Sequence, residues 1–151
     1  MIKKSLLQKL KERIIRAFQK ELFNSSYFHG DPRRVQIGEN VSTVNTIFNT
    51  GSGDIYVGDN TIFGHNVMLL TGRHEFIKGV RKKILTGESD TPKTGYDIKI
   101  GSGCWIASGA IVIGGVTIGN NVIVSSGAVV MKNVPDGVMV SGVPAKIVKK
   151  V

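Results

Sequence analysis

From Ile100 the sequence falls into consecutive blocks of six: IGSGCW, IASGAI, VIGGVT, IGNNVI, VSSGAV and VMKNVP. Every block opens on Ile or Val, at 100, 106, 112, 118, 124 and 130. The fifth place of each block is small or β-branched: Cys104, Ala110, Val116, Val122, Ala128 and Val134. The same phase runs upstream as VGDNTI, FGHNVM and LLTGRH, beginning at Val57, Phe63 and Leu69. A weaker copy, IGENVS, opens at Ile37, and Ile47 to Asp54 (IFNTGSGD) slips the frame by two residues. A helix repeats every ~3.6 residues and a strand every ~2, so a period of six belongs to neither. It fits a short strand followed by a tight corner. The branched first residue points inward, the small fifth residue fills space near the corner, and Gly or Asn takes positive φ at the bend. Three such sides close a triangular coil of eighteen residues, and coils stack through parallel ladders about 4.8 Å apart. The period predicts an all-β fold, a parallel β-helix of hexapeptide repeats.

The period fails in two places. Residues 75–99 (EFIKGVRKKILTGESDTPKTGYDIK) lack it and carry Arg81, Lys82, Lys83 and Lys93. A loop this long inside a compact repeat is usually functional or disordered, and it is expected to leave the prism as an arm that folds back over a neighbouring surface. Before Val35, Ile2 to Phe23 read as an amphipathic helix. Leu6, Leu10, Ile14, Phe18 and Leu22 recur every four residues, with Leu7, Ile15 and Ala17 widening the stripe. Lys3, Lys4, Lys9, Lys11, Arg13, Arg16 and Lys20 take the other faces, against Glu12 and Glu21. Such a helix docks on its own protein or a neighbouring subunit, or lies on an anionic membrane. Residues 24–34 (NSSYFHGDPRR) carry turn residues and read as a linker. The expected organisation is a helix and linker over 1–34 and a β-helix over 35–151, interrupted by the excursion at 75–99.

Twenty Lys and Arg against 11 Asp and Glu give a formal charge of +9, which favours anionic partners. With 7% aromatic residues and no recognised binding motif, nucleic acid is not an expected partner. The single cysteine, Cys104, allows no intramolecular disulfide and no cysteine-built zinc site. No segment approaches the ~18 apolar residues of a membrane span. The charges near the N-terminus are too closely interspersed for a signal peptide. The expected location is cytoplasmic, with peripheral contact at the inner face of the membrane through the helix.

From about Val35 to Val151 the chain resembles the hexapeptide-repeat acyltransferases, most of all the branch of galactoside, maltose and polysaccharide O-acetyltransferases. The matching stretches are VGDNTIFGHNVMLLTGRH, IGSGCWIASGAIVIGGVTIG, VSSGAVVMKNVP and SGVPAKIVKKV. The resemblance implies a left-handed β-helix, an exception to the usual handedness of parallel crossovers. It also implies a homotrimer that uses acetyl coenzyme A as co-substrate and no metal. His74, eighteenth in the segment that opens at Val57, falls where the family keeps its general base. A neutral imidazole there can take the proton of an acceptor hydroxyl as its oxygen attacks the thioester. Asn45, in VSTVNT, corresponds to an acceptor-side asparagine of the galactoside branch; an internal ladder or turn is the alternative reading.

Trp105 takes the place of a tryptophan near the thioester end of the coenzyme, and as sixth in its block it should face outward. Ser108 and Ser126 match positions whose backbone holds the pantetheine arm. Lys132, Lys146 and Lys149 match basic positions near the nucleotide phosphates, whereas Gly127 and Gly142 read as backbone-geometry residues. His65 and His29 read as structural or neutral. A zinc site like that of γ-class carbonic anhydrases, which share this fold, is not expected: His65 and His74 hold the third and sixth places of their blocks and project differently. Two departures fall on the acceptor side. No match to the acidic acceptor-binding residue of the galactoside and maltose enzymes occurs before Val35, and the arm after His74 is longer. The reading preferred is acetyl transfer to a hydroxyl of a saccharide or its lipid-linked precursor at a subunit boundary. An antibiotic acetyltransferase of the same fold and a non-catalytic β-helix scaffold are the alternatives.

Overall fold

The computed structural model describes residues 6–151; the readings on Ile2, Lys3 and Lys4 lie outside the described residues, as do the side chains of Lys20, Glu21 and Leu22. Short strands wind through three faces in strict rotation. The first face stacks Tyr27–His29, Ile47–Asn49, Met68–Leu70, Ile111–Ile113 and Val129–Val130. The second stacks Val35–Ile37, Ile55–Val57, Ile98–Ile100 and Thr117–Ile118. The third stacks Ser42–Val44, Ile62–His65, Trp105–Ile106, Ile123–Val124 and Val138–Ser141, and the antiparallel strand Lys146–Lys150 closes its far edge.

Register follows the period. Ile100 lies beside Ile118, Ile106 beside Val124 and Val112 beside Val130, each pair eighteen positions apart. The first and fifth residues of the blocks from Ile100 are all buried, from Cys104 and Ile106 through to Val130 and Val134. Apolar burial is worth about 1.5–3 kcal/mol for each full-sized side chain, and here one stack of such side chains runs the length of the prism. Asn40, Asn45, Asn60, Asn66 and Asn121 take positive φ at the corners, a conformation asparagine tolerates because its short amide bonds locally. Gly64 serves a different need: a Cβ there would stand 2.4 Å from the backbone nitrogen of Ser108 in the next coil.

The early coils are wider. Phe28, Phe48 and Leu69 share a ladder that narrows to Val112 and Val130, and the Phe28 and Phe48 rings stack at 5.1 Å. Two or three extra residues in these coils make room for the rings, which accounts for the slipped frame at Ile47. The stretch read as a linker is part of the prism: Tyr27–His29 pairs with Ile47–Asn49. It escaped the period because it sits in the first coil, two residues longer than the eighteen-residue coils, where one face is open and no full block precedes it. Ile37, at the same open end, is exposed for that reason.

The helix spans Leu6–Asn24. Leu6, Leu7, Leu10, Ile14, Ile15 and Phe18 are all exposed, so among the described residues none covers this part of the apolar stripe. No helix among the described residues is long and apolar enough to cross a membrane. The excursion is structured, with an antiparallel pair, Phe76–Ile77 with Val80–Arg81, leading into a short helix, Lys82–Thr86. It is also shorter than the aperiodic stretch. Ile98 is fully buried in the second face beside Ile55, and Lys99 continues that strand.

Candidate functional site

The arm leaves the prism after the strand Met68–Leu70, at the corner between the first and second faces. Buried hydroxyls fix that corner. Thr71 Oγ1 donates to the carbonyl of Asn49 at 2.8 Å and accepts from the Ser52 amide at 3.1 Å. Ser52 Oγ in turn accepts from the amide of Arg73 at 3.1 Å. The backbone just before His74 is therefore set by the coil beneath it. The arm returns through Tyr96, whose backbone passes between Gly53 and Gly114; a Cβ on either glycine would come within 2.7 Å of Tyr96 main-chain atoms.

His74 stands on this seam, with its side chain 56% exposed. Asp90, in the arm, has a carboxylate only 3% exposed and 3.1 Å from His74 Nδ1. The other carboxylate oxygen of Asp90 accepts from Arg81 Nε at 2.6 Å, and Thr91 Oγ1 lies 3.3 Å from the same imidazole nitrogen. The Arg81 guanidinium holds the Asp90 carboxyl well below the usual carboxylate range, with the His74 ring adding to the effect against the opposing cost of burial. Asp90 is thus an anion at neutral pH. In the neutral ring, an anion at 3.1 Å from Nδ1 outweighs the longer Arg81 contact at 3.5 Å and favours the hydrogen there, which leaves the Nε2 lone pair free to accept a proton. The amide of Glu75 donates to the Asp90 carbonyl at 2.7 Å, so backbone and side chain both tie the arm to the histidine.

The sequence offered no cue to Asp90. It lies in a turn-rich stretch without periodicity, and the pairing spans sixteen positions. Arg81 was legible only as one of several basic residues in the arm. Around the histidine opens a groove of about 520 Å³, lined by Arg73, His74, Glu75, Phe76, Ile77, Lys82 and Tyr96. Lys82 is bridged to Glu75 at 3.5 Å and to Glu88 at 3.4 Å, and Glu88 above all raises its pKa.

The remaining sequence candidates lie elsewhere on the prism. Asn45 is at the corner between the third and first faces, with positive φ, and its amide donates to Asn66 Oδ1 in an asparagine ladder. Ser108 and Ser126 occupy that same edge in later coils, both exposed. Ser108 Oγ accepts from the His65 amide at 3.1 Å, and His65 itself is exposed. Trp105 projects outward from the third face, 52% exposed, between Ile62 and Ile123. Lys146 and Lys149 lie on the closing strand of that face, and Lys132 follows the last strand of the first face; all three are exposed. Within one chain, then, Asn45, Trp105, Ser108, Ser126, Lys146 and Lys149 lie away from the edge that carries His74, whereas Lys132 lies on that same edge two coils further along. Among the described residues no group of three His, Cys, Asp or Glu side chains converges as a metal site would.

Residues 97–132 match the family model described as bacterial transferase hexapeptide (six repeats). The chain is 34% identical over 98 residues to a galactoside O-acetyltransferase of Lactococcus lactis, a match covering 65% of this chain and 44% of the relative. The chain thus spans less than half the length of that curated relative. Among solved structures it is similar to a maltose O-acetyltransferase from Clostridium difficile 630, with TM-score 0.67 and 26% identity over 100% of this chain and 79% of the other. It is also similar to a hexapeptide-repeat acetyltransferase from Vibrio cholerae complexed with acetyl coenzyme A, with TM-score 0.62 and 25% identity over 95% and 79% of the two chains. The left-handed parallel β-helix expected above is the fold shared with these structures.

Proposed function

We propose that this chain is a hexapeptide-repeat acetyltransferase that transfers the acetyl group of acetyl coenzyme A to a hydroxyl of a saccharide acceptor. The observation that carries this reading is His74, oriented by a buried carboxylate at the edge of an open groove. In the proposed reaction, Nε2 takes the proton of the acceptor hydroxyl as its oxygen bonds to the thioester carbon. The carbon–sulfur bond then breaks, and the proton passes from the imidazolium to the departing sulfur. Asp90 keeps the ring in the productive tautomer and stabilises its cation. The Vibrio cholerae relative was solved with acetyl coenzyme A, which supports the choice of donor.

The separation of His74 from Trp105, Ser108, Ser126, Lys146 and Lys149 supports a site shared between copies. In the trimer we propose, the groove of one chain faces the third face of a neighbour. Trp105 covers the thioester end of the donor there, Ser108 and Ser126 border its pantetheine arm, and Lys132, Lys146 and Lys149 meet its phosphates. Asn45 would then address the acceptor through its amide oxygen. The exposed stripe of the N-terminal helix is read as seated on a neighbouring copy, its basic flank turned toward an acidic membrane surface. Calorimetric titration of the full chain with acetyl coenzyme A tests the donor half. Micromolar binding, about −8 kcal/mol, that weakens in Trp105→Ala by a protein weighed as a trimer is the expected result. A well-folded trimer without affinity for the coenzyme would favour a scaffold instead.

A further inference from the structure

Cations around the histidine groove are not equivalent. Arg81 is committed to Asp90, and Lys82 is shared between Glu75 and Glu88. Arg73 differs: among the described residues its guanidinium meets no carboxylate, and it rests over the Tyr96 ring, 5.0 Å from the centroid. Stacking fixes the plane of an arginine without neutralising it, and leaves its planar fork of N–H donors open. Its position is as determined as that of the histidine. The Arg73 amide is held by buried Ser52, and Tyr96 is wedged between Gly53 and Gly114. Arg73 adjoins His74 in sequence, and both line the same groove, where the exposed Phe76 and Ile77 add apolar surface.

We infer that Arg73 is an oxyanion-recognition residue for the acceptor, so that the preferred substrate carries a phosphate or carboxylate beside the hydroxyl that reacts. This rests on the acceptor side of the function proposed above and narrows its substrate class. A guanidinium pairs with either oxyanion through two parallel hydrogen bonds, which orients as well as attracts. A neutral sugar would leave that charge without a partner in the groove. Phe76 and Ile77 suit the carbon skeleton that joins the anion to the hydroxyl.

The test compares wild type, Arg73→Met and Arg73→Lys by calorimetric titration with glucose, glucose 6-phosphate, glucuronate and, separately, acetyl coenzyme A. The expected pattern is binding of at least one anionic sugar well above glucose, weakened about tenfold to a hundredfold in Arg73→Met, as for loss of a charge-assisted contact. Partial recovery in Arg73→Lys marks charge, and a remaining deficit marks the fork. Comparison of glucose 6-phosphate with glucuronate tells which oxyanion is preferred. Equal binding of glucose and both anionic sugars, absence of binding by either anion, or anion binding unchanged in Arg73→Met would each overturn the proposal. So would weakening of acetyl coenzyme A alone, because Arg73 would then serve the donor's phosphates. Arg73-dependent anion binding by a protein with no affinity for acetyl coenzyme A would sink the transfer reaction while leaving the oxyanion site standing. Matching thermal melts of the three proteins exclude misfolding as the cause.

Discussion

The coils from Ile98 to Val140 and the arm from Glu75 to Tyr96 are neighbours built on opposite terms. In the coils up to Val130, each inward residue meets its counterpart eighteen positions away, and the same few residue types recur because every coil poses the same packing problem. In the arm, Phe76, Ile77, Ile84 and Leu85 are all exposed. What holds the arm is polar: Asp90 between His74 and Arg81, the Glu75 amide on the Asp90 carbonyl, and Lys82 between two glutamates. Repetition builds a rigid support, and a single irregular insertion carries the groups that need individual environments. The candidate chemistry lies at the seam, where a histidine positioned by the coil is oriented by the arm.

The sharpest division between the two regions is expected from His74→Ala. Loss of a general base lowers rate by about 10² to 10⁴, while the melting of the prism should match wild type because the exposed ring supports no core. Acetyl-transfer kinetics beside circular dichroism would check both halves, and an unchanged rate would remove His74 from the reaction. In the coils the balance should reverse. Ile106→Ala empties part of a fully buried ladder and is expected to cost about 2–5 kcal/mol. Ile84→Ala in the arm, at an exposed position, should stay within about 0.5 kcal/mol. Urea unfolding of both variants measures the contrast, and equal costs would mean that the arm is packed like the prism.

A smaller effect separates the regions by pH. Asp90 is held below the usual carboxylate range in the folded protein, so its ion pair contributes stability that is fully present above the unfolded value of about 3.9. That contribution is lost only as pH falls toward the lowered folded value. Amide protection of the arm should therefore be flat from pH 7 to about 5 and decline below about 4, whereas the coils, held by a buried apolar ladder, should keep their protection further into acid. Hydrogen exchange across that range, with Asp90→Asn as control, checks it. Arm protection that already falls between pH 7 and 5 would mean that another group holds the arm.

How much of this was legible beforehand differs along the chain for physical reasons. Ile100 to Val134 could be assigned inward residue by residue, since a repeated coil turns a three-dimensional register into a linear period. Tyr27 to His29 was read as linker because the first coil has no predecessor to repeat and its extra residues displace the phase. His74 was reached through family position, and its outward placement follows from the end of a strand. Asp90 could not be reached at all: nothing local distinguishes it from any aspartate in a turn, and its meaning comes from a contact made only when the arm folds.

By itself the sequence determined the six-residue repeat, the identity of the buried ladder, the corners and the existence of an excursion. These are consequences of side-chain size and backbone preference, which act locally and recur. The tertiary structure alone decided which carboxylate meets His74, and that of the cations lining the groove Lys82 is paired while Arg73, among the described residues, meets no carboxylate. Those are matters of distance between groups far apart in the chain, and electrostatic pairing is set by distance, not by order in sequence.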